Sequence, residues 1–176
     1  IFSSYLNRSD AAGISLFLRA FGSARKDFIA SSPIPGRALR VAFAPEGVVT
    51  SIIWNIHNHD LTAKQMCLLV KLVKQDTKFM NELPSKRSMI VLGDWNCLPN
   101  GENRIPMARP DGTSPVSDDY SGQHTKAVAN LTGGLVDLAV DVPTRFDKRE
   151  HFLSRLDVYT LDSHRGCSHI SIVMPT

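Results

Sequence analysis

The chain has 176 residues, 43% hydrophobic and 21% charged, with a formal net charge of +3. That composition fits one globular domain with a real core and excludes a low-complexity chain; no apolar run approaches the roughly 20 residues that cross a bilayer. Cys67, Cys97 and Cys167 are odd in number and widely spaced, which argues against a disulfide framework and for a reducing, intracellular compartment, nuclear or cytoplasmic.

The mildly basic balance tolerates a polyanionic partner without demanding one. Ile1 opens no signal peptide, because Asn7, Arg8 and Asp10 interrupt any apolar core; with no Met at its start, the chain reads as beginning inside a longer sequence.

In chain order, GISLFLR (13–19) and ALRVAF (38–43) are β-prone runs bounded by Gly, Pro and Ser, and predict strands. ARKDFIA (24–30) is a weaker strand candidate before the turn-rich SSPIPGR. A tight turn at Pro45, Glu46 and Gly47 leads into VVTSIIWNIH (48–57), the longest β-rich run. This half predicts an antiparallel meander.

A helix follows. Thr62 and Gln65 form a capping box, Met66, Leu69, Val70, Val73 and Met80 keep helical spacing, and Pro84 marks the stop. Lys71, Lys74 and Lys78 share the opposite face, which reads as a solvated outer surface before a phosphate-binding stripe. SMIVLG (88–93) is a continuous apolar strand of the kind a doubly covered sheet contains.

Residues 97–119 read as a long loop. QHTKAVANL (123–131) predicts a second helix ending at Gly133 and Gly134; LVDLAV (135–140) and a turn at Pro143 come next. FLSRLDVYTL (152–161) and HISIVM (169–174) predict the closing strands. Strands in both halves with helices outside give a layered α/β sandwich.

The chemistry concentrates at strand ends. In VLGDWN, Asp94 and Asn96 share one face by the two-residue strand period, with Trp95 opposite. A carboxylate there can hold a hard cation or take a proton from water, and a carboxamide can donate to a phosphate oxygen.

In SRLD, Arg155 and Asp157 sit within an apolar strand, a costly placement unless paired or functional. His169 opens the last strand, where Asp157 can orient its ring, and His57 ends the long strand. From the residues alone, Asp94 and Asn96 also suit a plain turn, Asp157 with Arg155 a strand ion pair, and His57 a satisfied core position. His59 reads as structural, and the spacing of His164, Cys167 and His169 suits zinc poorly.

The combination of Gly-Asp-aromatic-Asn after an apolar strand, SRLD, and a Ser-His pair on a closing strand resembles the endonuclease/exonuclease/phosphatase superfamily. PTRFDKREHFLSRLDVY (143–159) most resembles the endonuclease domains of non-LTR retrotransposons. The resemblance covers nearly the whole chain. It implies one partial domain over residues 1–176, a four-layered α/β sandwich of two facing sheets with helices outside, incomplete at its N-terminus.

It also implies Mg²⁺- or Mn²⁺-dependent hydrolysis of a phosphodiester, with DNA as the partner nucleic acid, no membrane, and a reverse transcriptase domain in a longer parent chain. Asp94 would hold the metal and activate water, Asn96 would bind the scissile phosphate, His169 would stabilise its charge with Asp157 fixing the tautomer, and His57 would lie near the phosphate.

Three departures accompany it. No Glu here stands where the family holds its metal: Glu46, Glu82, Glu102 and Glu150 lie in turns, loops or a helix end. The family's Ser-Asp-His reads Cys167-Ser168-His169, and a hydroxyl does not supply that negative charge. The spacing from Asp157 to His169 is also short for the family. These imply an impaired site, and a second reading: a non-catalytic remnant that binds nucleic acid without cutting it.

Overall fold

The computed structural model describes residues 1–5, 13–18, 25–82, 87–96, 105–106, 109–113, 124–133, 135–137, 145–147, 152–154 and 157–162. In chain order these form β1 (Phe2–Tyr5), β2 (Gly13–Leu16), β3 (Phe28–Ile34), β4 (Ala38–Phe43), β5 (Ser51–His57), α1 (Ala63–Asn81) and β6 (Ser88–Asp94). There follow β7 (Ile105–Pro106), α2 (Thr125–Thr132), β8 (Leu135–Asp137), β9 (Arg145–Asp147), β10 (Phe152–Ser154) and β11 (Asp157–Asp162).

The architecture is mixed α/β. A six-stranded sheet runs β3-β4-β5-β6-β11-β8, beside a β1-β2 hairpin and a three-stranded β7-β10-β9 sheet. Pairing in the large sheet is antiparallel except between β5 and β6, which run parallel because α1 carries the chain back between them.

Local sequence explains each piece. Thr62 Oγ1 accepts from the Gln65 amide at 3.3 Å while Gln65 Oε1 accepts from the Thr62 amide at 2.8 Å, so two orphan donors of the first turn are satisfied. Met66, Leu69, Val73 and Met80 form the buried stripe of α1, whereas Lys71, Lys74 and Lys78 are exposed, with Lys78 3.6 Å from Glu82. His124 donates from Nε2 to the Leu61 carbonyl at 2.8 Å and ties the start of α2 to the segment before α1.

One face of the large sheet packs on these helices: Ile52, Trp54 and Ile56 of β5 and Met89 and Val91 of β6 meet Met66, Leu69, Val73, Val128 and Leu131. On the other face Leu39 and Val41 meet Ile14 and Leu16 of the hairpin. Asp76 of α1 binds across to the sheet: its carboxylate accepts from Arg40 Nε at 2.7 Å, Arg40 Nη2 at 3.0 Å and Trp54 Nε1 at 2.8 Å.

Several expectations shift. SSPIPGR is not all turn, because β3 continues through Ile34 with a register irregularity between Ser31 and Ile34, and only residues 35–37 turn. The edge position of β3 tolerates Pro33, which brings no N–H to a ladder.

The expected loop of 97–119 contains β7 and a turn at 109–113, where two hydrogen bonds from Thr113 hold the Asp111 carboxyl below its ordinary value. FLSRLDVYTL is two strands rather than one: β10 lies in the three-stranded sheet and β11 in the six-stranded one. SMIVLG alternates buried and half-buried positions, so one face is sealed by the helices and the other only in part. HISIVM lies outside the described residues.

Candidate functional site

The C-terminal ends of the parallel strands β5 and β6 meet at one rim of the large sheet, where the start of antiparallel β11 joins them. Their registers place three of the expected site residues in a row: His57 pairs with Asp94, and Asp94 pairs with Asp157. Asp157 is thus fixed by its register position opposite Asp94.

Gly93 makes this approach possible. A Cβ at Gly93 would lie 1.9 Å from the Ile56 carbonyl oxygen, so any side chain there would force β5 and β6 apart one residue before His57 and Asp94. Beyond the strands, Asn58 is buried and binds the end of β6 twice: its backbone amide donates to the Asp94 carbonyl at 2.8 Å and its Nδ2 to the Trp95 carbonyl at 2.6 Å. Trp95 is fully buried and anchors the lip in the core. Among the described residues the base of the rim is thus buried, while His57 and Asp94 are both part-exposed.

Asp94 and His57 face one another, Oδ2 to Nε2, at 3.9 Å. The other carboxylate oxygen, Oδ1, accepts from the Asn96 amide at 3.0 Å. That contact belongs to a turn, since Asn96 adopts a left-handed conformation with φ 46° and β6 ends at Asp94. The strand-period argument therefore does not reach Asn96; a side-chain-to-backbone turn sets its direction. Trp95 is inward, as expected.

Among the described residues, two that sequence reasoning did not single out also belong to the rim. Arg37 places Nη1 3.3 Å from His57 Nδ1. Asn58 clamps the two strand ends, as above. Neither carried a signal in the sequence: Arg37 is brought to His57 by the β4–β5 register, and Asn58 differs in no local way from a loop asparagine. His59, expected to be structural, sets its ring 5.6 Å from that of His57, tilted by 41°, and approaches Asp60 Oδ2 through Nδ1 at 2.8 Å.

His169, Arg155 and the His164–Cys167–His169 cluster lie outside the described residues. Among the described residues, no group of three or more His, Cys, Asp or Glu side chains could hold a metal ion, and no helix is long and apolar enough to cross a membrane.

Chemically, the rim offers a half-exposed carboxylate, an imidazole beside it and a guanidinium behind the imidazole, with a second acidic position one strand over. That set can bind a hard cation or receive a proton at Asp94, and can donate hydrogen bonds to an anion from His57 and Arg37. No protein-family model matches the chain, and neither does any of the curated proteins with which it was compared.

Proposed function

We propose that the chain is a divalent-metal-dependent phosphodiester hydrolase of the endonuclease/exonuclease/phosphatase type, acting on DNA in the manner of a retroelement endonuclease. Within that reading the large sheet is one half of a four-layered sandwich. The observation that carries it is the row of His57, Asp94 and Asp157 across three adjacent strands at one rim. Two acidic residues directly opposite each other in a sheet repel and destabilise the pair unless a cation or proton offsets them. Such an arrangement suits a site that handles positive charge.

The donor chemistry fits Mg²⁺, which prefers oxygen ligands and is commonly held by one or two carboxylates with water and phosphate completing its shell. Asp94 would hold it, with Asp157 as the second acidic position. Bound there, the ion would neutralise charge developing on the phosphate and acidify a water. The chain's own groups do the rest: Asp94 orients or deprotonates the attacking water, and His57 donates a hydrogen bond to a phosphate oxygen. Asn96 and His169 are proposed as further phosphate contacts on the strength of the sequence motifs.

A second reading, a remnant that binds DNA but does not cut it, is favoured by Ser168 at the family's Asp position. The exposed lysines of α1 would serve such binding equally well.

Supercoiled plasmid incubated with the purified protein and Mg²⁺, beside Asp94→Ala, separates the two. Loss of one ligand removes several kcal/mol of charge stabilisation, so nicking by the variant is expected to fall about 100-fold or more. Equal background from both proteins, with DNA binding retained, overturns the enzymatic reading in favour of the remnant.

A further inference from the structure

We propose that Arg37 is a positioning residue for His57: its guanidinium holds the imidazole in the neutral form that carries its proton on Nε2, toward Asp94. The proposal rests on the phosphodiesterase reading for its catalytic consequence, though not for its geometry.

The backbone fixes the encounter. Arg37 closes the turn between β3 and β4, its amide donating to the Ile34 carbonyl at 3.0 Å, while its own carbonyl accepts from the His57 amide at 2.8 Å. Gly36, at φ 69°, makes that turn possible, and its amide is pinned by the buried Ser4 hydroxyl of β1 at 2.8 Å. The guanidinium therefore leaves a backbone already bonded to that of His57, and its Nη1 lies 3.3 Å from Nδ1.

A guanidinium has only donors. For the contact to be a hydrogen bond, Nδ1 must present its lone pair, which leaves the ring neutral with its proton on Nε2. That nitrogen faces Asp94 Oδ2 at 3.9 Å. The His57–Asp94 approach is then a dipole beside a carboxylate rather than an ion pair, and His57 acts at the rim as an oriented N–H donor. Arg37 adds, on the Nδ1 side of the ring, the positive charge that the neutral imidazole lacks.

The test uses the full chain with ¹⁵N-labelled histidine, the His57 signals being assigned by their loss in His57→Gln. In the unmutated protein at neutral pH, Nδ1 is expected as the unprotonated nitrogen and Nε2 as the protonated one. Arg37→Met, which keeps the aliphatic stem, should move the Nδ1 resonance toward that of an unbonded lone pair. Arg37→Lys, which retains a donor, should return it most of the way.

In single-turnover plasmid nicking, Arg37→Met should lower the cutting step about 10- to 100-fold with a smaller change in DNA affinity, and Arg37→Lys should recover much of it. A proton found on Nδ1 in the unmutated protein overturns the proposal, as does an Nδ1 resonance that Arg37→Met leaves unmoved. A loss confined to affinity with the ring nitrogens unmoved makes Arg37 a plain phosphate contact and overturns it too. If the resonances move as stated while the unmutated protein cuts no DNA, the hydrolase reading fails and the role of Arg37 in setting the ring stands.

Discussion

Replacing Asp76 by Ala tests whether one carboxylate holds helix α1 to the sheet that carries the site. Three donors converge on it, two from Arg40 and one from the indole of Trp54, over 2.7–3.0 Å. Trp54 is fully buried, and the Arg40 and Asp76 side chains keep only 23% and 15% of their exposure. The variant therefore strands a buried N–H and leaves a largely covered guanidinium without its counter-charge.

An orphaned buried donor costs about 1–3 kcal/mol and breaking a buried ion pair about 3–5. The pair here is partly solvated and the terms overlap, so about 3–4 kcal/mol is expected.

Urea unfolding followed by tryptophan fluorescence reads this directly, because Trp54 and Trp95 are both fully buried. With a slope of about 2 kcal/mol per molar urea, the midpoint should fall by about 1.5–2 M. Asp76→Asn, which keeps one acceptor, should lose roughly half as much. Trp54→Phe combined with Asp76→Ala should cost less than the separate losses added together, by about 1–2 kcal/mol. A midpoint shift under about 0.5 M for Asp76→Ala at unchanged slope refutes the assignment.

Two further outcomes concern the rim. Gly93→Ala puts a Cβ 1.9 Å from the Ile56 carbonyl oxygen, so β5 and β6 have to part by roughly 1 Å, at a cost of about 2–4 kcal/mol. Differential scanning calorimetry should show a melting temperature lower by about 5–15 °C; an unchanged melting temperature would mean that the strands do not meet in this register. Asn58→Ala removes the donor to the buried Trp95 carbonyl and should cost about 1–2 kcal/mol. Its local signature is faster hydrogen exchange at the residue 58 amide, which is bonded to the Asp94 carbonyl; exchange as slow as in the parent would count against the clamp.

Much of the fold is legible where local and long-range preferences agree. ALRVAF is β4 to the residue, bounded by the Gly36 turn and by Pro45. The capping box at Thr62 fixes the start of α1, and Gly133 caps α2. Legibility fails where the chain does something that only tertiary partners explain.

No Gly or Pro interrupts residues 152–161, so the run reads as one strand, although Ser154 and Asp157 belong to different sheets. Ser and Pro in 31–35 signal a turn, yet an edge strand accommodates them. At the site, His57 and Asp94 are visible as strand-end polar residues. The closeness of Arg37 follows only from the β4–β5 register, and the left-handed backbone of Asn96 only from the turn that Asp94 nucleates.

The join between β5 and β6 has a temporal consequence. His57 and Asp94 come together within one strand–helix–strand segment, whereas Asp157 arrives from much farther along the chain. Local pairings close sooner than distant ones, because less loop entropy opposes them. A nascent molecule can thus mature its first half early, yet the row stays incomplete until its last strand zips into place. Any agent that delays that zippering keeps the row unassembled without touching His57 or Asp94.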